Sequence, residues 1–216
     1  MKIISPINIS RLHYITQEVE EYTHAELAEL ACKGGARWVQ LRVKGKPYKE
    51  WLEIAKKTQE VCKKYDAKLI INDNVLIAKE INAIGVHLGK EDTSPLKARS
   101  FLGNDFIIGR TCNSIEDIKE LDGLKVDYIG LGPFRFTATK KKLSHVLGLE
   151  GLRQIIKTMT VSPIPIISIG GIKLDDIDDL MSTGVHGIAV SSAINLAADK
   201  QNTTKAFCTK INNYST

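Results

Sequence analysis

A single α/β domain over residues 1–216, folded as a (β/α)8 TIM barrel, is the fold class that the sequence predicts. Three observations predict it. Short apolar segments recur roughly every twenty to thirty residues, with helical periodicity between them. These segments are near-continuously apolar rather than alternating, as expected of parallel strands covered on both faces. There are eight of them, the number that closes a barrel filled by its own side chains. A doubly wound open sheet is the alternative, but it gives no reason for eight evenly spaced units.

Taken in order, the first strand is Leu12 to Thr16. A helix follows from Thr23 to Lys33, its apolar side built from Ala25, Leu27, Ala28, Leu30 and Ala31, and Gly34-Gly35 ends it. The second strand is Trp38 to Val43. Pro47 then opens a long helix with Trp51, Leu52, Ala55, Thr58, Val61, Cys62 and Tyr65 at three- and four-residue steps. Strand three is Lys68 to Asp73, followed by a short helix from Val75 to Ile81. Strand four is Gly85 to Gly89, and Thr93-Ser94-Pro95 supplies a cap and first turn for the next helix. Strand five is Phe106 to Thr111. Ser114 with Asp117 caps the helix from Ile115 to Leu121. Strand six is the apolar, glycine-containing first half of the stretch Tyr128 to Lys140, and Pro133 stops its ladder because it has no N–H to donate. A helix runs from Leu149 to Met159. Strand seven is Ile164 to Ile169, with Pro165 tolerable near its start, and Asp175 to Met181 is helical. Strand eight is Gly187 to Ser191, and a last amphipathic helix carries Ala197, Ala206, Phe207 and Ile211.

Composition narrows the function classes. A chain that is 43% hydrophobic and 25% charged has the makings of a sizeable core and a soluble surface. No apolar run reaches bilayer-spanning length. Met1 to Pro6 contains a Lys but no signal-peptide apolar core, so a cytoplasmic location is expected. The net charge is +5, with lysines scattered over helix faces apart from Lys140-Lys141-Lys142, and no aromatic-rich basic motif of an RNA reader is present. A local positive site for an anionic small molecule fits this charge, as do solvated helix faces. Cys32, Cys62, Cys112 and Cys208 form no C-x-x-C pair and stand near no His at zinc spacing, so they read as packed, reduced thiols.

In such a barrel the active face is built at the C-terminal ends of the strands. The polar residues fall in that register. Gln40, Arg42 and Lys44 alternate at the end of strand two and share one side if the strand persists that far; inward cations there need an anion. The alternative is a strand running into a basic loop. Asn72 and Asp73 end strand three, and Asp92 lies just past strand four. Two carboxylates facing that cationic cluster suggest Mg²⁺ shared with substrate phosphates, against the alternative that each caps its following helix. After strand six, Thr137, Thr139 and Lys140 offer two hydroxyls and a cation that suit a phosphate or diphosphate, or else form an ordinary polar loop. Gly170-Gly171 and Ser191-Ser192 follow strands seven and eight, where this fold commonly cradles phosphate, although Gly-Gly also makes a simple tight turn. Two anion-binding regions result, one near strands two to four with a metal and one near strands six to eight. His13, His87 and His186 read as packed residues, while His145 could approach a substrate. No Ser-His-Asp or Cys-His set assembles.

These segments together, in order along nearly the whole chain, resemble thiamine phosphate synthase. The resemblance is carried by Gln40-Leu41-Arg42-Val43-Lys44, Ile71-Asn72-Asp73, and Gly85-Val86-His87-Leu88-Gly89 through Asp92. Gly130-Leu131-Gly132-Pro133 with Thr137-x-Thr139-Lys140, Ile169-Gly170-Gly171-Ile172 and Ala189-Val190-Ser191-Ser192-Ala193-Ile194 complete it. It implies a transferase that joins hydroxymethylpyrimidine diphosphate to thiazole phosphate, giving thiamine phosphate and diphosphate. The implied route is loss of diphosphate to a pyrimidine-stabilised cation, trapped by the thiazole nitrogen.

Carried over residue by residue, Arg42, Lys44, Asn72 and Lys140 bind the diphosphate, with Arg42, Lys44 and Lys140 the catalytic cations. Asp73 and Asp92 hold Mg²⁺. Gln40 and Thr111 face the pyrimidine, and Thr137, Thr139, Gly171, Ser191 and Ser192 receive the thiazole phosphate. The implied partners are these two small molecules, with no nucleic acid and no membrane; a homo-oligomer is left open. Three positions and one loop depart from the family. Thr111 replaces a frequent Ser and keeps the hydroxyl. Asn113 replaces a His common to the synthase and its relative, thiazole tautomerase. Asn74 replaces the usual Arg after Asn-Asp, and Lys141 to Val146 lacks the usual Gly/Ala-Pro. The rival readings are a thiazole tautomerase-like isomerase, needing no Mg²⁺ and releasing no diphosphate, and a non-catalytic phosphate-ligand-binding barrel.

Overall fold

A computed structural model describes residues 9–136, 145–159 and 164–214. Its strands are β1 (Leu12–Ile15), β2 (Trp38–Leu41), β3 (Lys68–Asn72), β4 (Gly85–Leu88), β5 (Ile107–Cys112), β6 (Tyr128–Leu131), β7 (Ile166–Ile169) and β8 (Gly187–Val190). All pair in parallel with their sequence neighbours, and β1 pairs with β8 to close the barrel. The intervening helices are α1 (His24–Lys33), α2 (Tyr48–Lys64), α3 (Val75–Glu80), α4 (Pro95–Leu102), α5 (Ile115–Lys119), α6 (Gly148–Thr158) and α7 (Ile177–Ser182). A 3-10 turn, Leu174–Asp176, leads into α7, and α8 (Ser192–Asn195) and α9 (Lys200–Asn212) follow β8. The expected (β/α)8 barrel is the observed one.

Short side chains set the starts of several helices. Thr23 Oγ1 accepts from the Glu26 amide at 3.2 Å while Glu26 accepts from the Thr23 amide at 2.8 Å, a reciprocal capping box that satisfies two otherwise unpaired donors. Ser94 and Ser114 cap α4 and α5 by accepting from the Lys97 and Asp117 amides, with Pro95 in the first turn of α4. Asn74 accepts from the amides of Leu76 and Ile77, so this departure from the family pattern serves as the cap of α3.

Several element boundaries differ from expectation by one or two residues. β2 ends at Leu41 rather than Val43. β7 begins at Ile166, because Pro165 has no amide to donate, although its carbonyl still accepts from Ile129 at 2.9 Å. Ala197 lies outside the last helix, in the link between α8 and α9.

Side chains separate into two shells. Outward strand residues such as Val39, Leu41, Ile71, Val86 and Ile108 pack against Leu27, Ala55, Ile77, Ala98 and the other buried helix residues. Inward residues Ile15, Trp38, Ile70, Ile107, Tyr128, Ile167 and Ala189 fill the barrel. His13 joins them, stacked on Trp38 with ring centroids 4.4 Å apart. Among the described residues, no helix is long and apolar enough to cross a membrane.

Two buried imidazoles make the fold sensitive to acid. Desolvation, and then the nearby His87, hold His13 well below the ordinary histidine value of 6.5. Desolvation likewise lowers His24, which hydrogen-bonds Thr16 Oγ1 at 2.8 Å. Below about pH 6.5 the unfolded chain therefore binds protons that the folded chain refuses, and stability falls as pH drops through that window. The urea midpoint should be lower near pH 5.5 than near pH 7.5, with a smaller drop in His13→Phe, which keeps the stacked ring. An equal drop in both proteins would remove His13 from the account.

Candidate functional site

Parallel closure brings every strand's C-terminal end to one mouth. Polar side chains at those ends face a shared space instead of stacking in the hydrophobic interior. A cavity of about 980 Å³ opens there. Its wall includes Gln40, Asn72, His87 and Thr111 from β2 to β5, with Ile15, Ile169 and Ala189 completing the ring. Arg42, Lys44, Asp73, Asp92, Gly171, Ser191 and Ser192 line the same cavity from the loops above. Thus Gln40, Arg42 and Lys44 converge although the strand stops at Leu41. Thr137, Thr139 and Lys140, assigned a phosphate-binding role from sequence, lie outside the described residues.

The loop after β3 is shaped for its acidic residue. Asp73 has φ +66°, a left-handed conformation that Asp adopts more readily than most residues. Its amide donates to His87 O at 2.9 Å, tying this turn to β4. Lys44 Nζ pairs with Asp73 Oδ2 across the mouth. After β4, Asp92 Oδ2 accepts from the Gly89 amide at 2.6 Å, closing a compact turn. A side chain at Gly89 would put its Cβ 2.9 Å from that oxygen, so glycine is what admits the carboxylate. Arg110 braces the turn by donating to Gly89 O at 2.6 Å.

The two carboxylates interact. Burial, followed by hydrogen bonding and charge repulsion from Asp73, pushes the Asp92 carboxyl above its ordinary value, and the Gly89 amide and Lys44 offset part of this. Such a pair is short of positive charge. Its oxygen donors, with the Asn72 amide beside them on the cavity wall, match the hard-cation chemistry of Mg²⁺. Among the described residues, no group of three or more His, Cys, Asp or Glu is placed to hold a metal. Two carboxylates with substrate oxygens completing the shell are the usual pattern for Mg²⁺.

The opposite side of the mouth is built from tight turns. Gly170 and Gly171 have φ +109° and +62°. A Cβ on Gly170 would meet Pro133 at 2.7 Å, and one on Gly171 would meet the Phe136 carbonyl at 2.9 Å. Glycine here permits both the turn and the close approach of the β6 loop. Arg135 fixes that approach, donating to both Asp176 carboxylate oxygens at 2.8 Å and to Gly171 O at 2.9 Å. Ser191 and Ser192 both donate their hydroxyls to Gln17 Oε1, at 3.1 and 3.2 Å. Asn195 supports Ser191 through its carbonyl at 3.0 Å, and in turn accepts from Tyr14 at 2.5 Å.

Several cavity residues carried no role in the sequence reading. Lys90, Lys173 and Arg135 add positive charge to the lining. Gln17, which bonds Ser191 and Ser192 without lining the cavity, could have been found as a polar residue two positions beyond the end of β1. The Arg135–Asp176 pair joins residues 41 apart, which no local pattern marks. Asn113 lines the cavity and donates its side-chain amide to Gly132 O, so it is held by the β6 loop. His13 and His186 are structural, the latter bonded to Ile9 O at 2.8 Å; His145 is exposed and does not line the cavity.

Residues 12–194 match a family model described as "Thiamine monophosphate synthase". A protein of Phocaeicola vulgatus named "Thiamine-phosphate synthase" is 48% identical over 196 residues, covering 90% of this chain and 94% of its own. A like-named protein of Archaeoglobus fulgidus is 36% identical, covering 88% of each. Among solved structures, a thiamine phosphate pyrophosphorylase from Pyrococcus furiosus superposes with a TM-score of 0.84 at 33% identity, over 94% of this chain and 96% of that one.

Proposed function

The chain belongs to the thiamine monophosphate synthase family, and from that premise we propose how its cavity carries out the family's transferase reaction. The activity is thiamine-phosphate synthesis. The substrates in this reading are hydroxymethylpyrimidine diphosphate and thiazole phosphate, joined by a dissociative substitution that expels diphosphate. One observation carries it: a single cavity holds a cation–carboxylate cluster on its β2–β4 side and a Gly-Gly, Ser-Ser cradle on its β7–β8 side. Two phosphorylated molecules can therefore lie side by side.

The division of labour follows from charge. Arg42, Lys44 and Asn72 bind the diphosphate, and Lys140 is assigned to it with them. Fixed cations there stabilise the leaving group as its charge grows, so their contribution is larger in the transition state than in the ground state. Asp73 and Asp92 would hold Mg²⁺, whose role when bound is to neutralise the diphosphate oxygens. Gln40 and Thr111 orient the pyrimidine over the barrel mouth. Gly171, Ser191 and Ser192, together with Thr137 and Thr139, take the thiazole phosphate and so aim the ring nitrogen at the reacting carbon. No nucleophile from the protein is required.

The decisive assay is diphosphate release with both substrates, with and without Mg²⁺. Release that needs both substrates and the metal supports the reading. Isomerisation of the thiazole without release, or ligand binding without turnover, would replace it with one of the rivals. The scheme also assigns Lys44 two successive partners, Asp73 before substrate binds and diphosphate after. Lys44→Met should then lower turnover at least about tenfold through the lost charge-assisted bond. Its Mg²⁺ affinity should be unchanged or a few-fold tighter, because an exposed ion pair of about 0–1 kcal/mol no longer competes. Markedly weaker Mg²⁺ binding by calorimetry would contradict that assignment.

A further inference from the structure

A short polar chain runs from the cavity into the barrel interior. Thr111 Oγ1 lies 3.0 Å from His87 Nε2, and His87 Nδ1 lies 3.0 Å from the Tyr128 hydroxyl. Thr111 borders the cavity, His87 forms part of its wall but is only 6% exposed, and Tyr128 is 1% exposed. Room for the pair is made by two glycines: a Cβ on Gly109 would meet Tyr128 Cζ at 2.1 Å, and one on Gly130 would meet His87 Cε1 at 2.8 Å. Bulkier residues at 109 and 130 would expel both rings.

The direction of these bonds can be worked out from the buried end. Among the described residues, His87 is the sole hydrogen-bond partner of the Tyr128 hydroxyl. Burial pushes the phenol far above its ordinary value, so it keeps its proton. If the phenol accepted from His87, its own proton would be left buried and unpaired, at a cost of about 1–3 kcal/mol. The phenol therefore donates to Nδ1. A neutral imidazole that accepts at Nδ1 carries its hydrogen on Nε2. Nε2–H then donates to Thr111 Oγ1, and the threonine's own hydrogen turns toward the cavity.

We propose that Tyr128 and His87 are positioning residues that fix Thr111 as a hydrogen-bond donor to a ring nitrogen of the pyrimidine. The ligand's identity rests on the function proposed above; the direction of the chain does not. With the other tautomer Thr111 would offer only lone pairs and would select an N–H on the ligand instead. A ring nitrogen loses basicity as the pyrimidine becomes cationic, so this bond is strongest in the ground state and bears on binding more than on the chemical step.

Imidazole ¹⁵N NMR of the wild-type protein without substrate tests the direction alone. The His87 proton is expected on Nε2; a proton on Nδ1 overturns the proposal. Kinetics test the consequence. Tyr128→Phe and Thr111→Val should each raise KM for hydroxymethylpyrimidine diphosphate about two- to tenfold, with less effect on kcat. The double variant should be no worse than Thr111→Val, because Tyr128 acts through the threonine. Thr111→Ser should restore the wild-type KM and remain sensitive to Tyr128→Phe. Additive losses in the double variant, or a Tyr128→Phe defect confined to kcat, would refute the coupling. A wild-type protein that released no diphosphate would remove the assigned reaction, while the NMR result would still decide the hydrogen-bond direction.

Discussion

Asp92→Asn is expected to lower Mg²⁺-dependent diphosphate release by at least about a hundredfold, the scale of a metal's several kcal/mol of charge stabilisation. Asparagine is the informative replacement. Its side-chain oxygen can still accept from the Gly89 amide, so the turn after β4 keeps its closing bond. What is lost is one of two carboxylate charges facing the same space. Calorimetric titration should show weakened Mg²⁺ binding, with thermal stability close to wild type. Removing Asp73 repulsion even relieves a site where the two carboxylates oppose each other. Near-normal turnover at saturating substrate would leave Asp92 as a turn cap only.

Arg42→Gln should reduce kcat/KM by about a hundredfold, with much of the loss in kcat. Arg42 follows β2 directly, and its amide donates to Thr16 Oγ1 at 3.1 Å, which anchors the backbone whatever the side chain. Arg42 lines the same cavity as Asp73 and Asp92. Charge accumulates on the departing diphosphate as the bond breaks, so a fixed cation contributes more at the barrier than before it. Arg42→Lys should recover only part of the loss, because a single ammonium cannot reproduce a planar two-pronged donor. An effect on KM alone would mean that Arg42 holds the substrate without assisting departure.

Much of this arrangement could be read from residue order because strand ends are conspicuous. An apolar run that finishes in Gln-x-Arg, Asn-Asp or Gly-Gly announces where buried structure gives way to chemistry. Parallel closure then requires those ends to meet, which is how Gln40, Asn72, Asp92 and Ser192 came to share one cavity. The helix α8 was not legible, since four residues are too few to establish a helical period. Nor was the Arg135–Asp176 clamp, whose partners are joined by folding alone. The donor direction of Thr111 needs knowledge of what lies behind it, and Tyr128 reads in sequence as one more apolar strand residue. Asn74 shows the converse: set against the family it is an anomaly, while its contacts explain it as a helix cap.

If Ser191 and Ser192 receive a phosphate as proposed, Gln17 would act selectively on what enters the cradle. One amide oxygen already engages both serine hydroxyls. An unphosphorylated thiazole alcohol could offer them only another neutral acceptor, an exchange of equals with nothing gained. A phosphate brings charge, and charge-assisted bonds are about twice as strong as neutral ones. In that reading, discrimination against the dephosphorylated compound would be set by the competitor the protein carries within itself, as much as by any contact the phosphate makes.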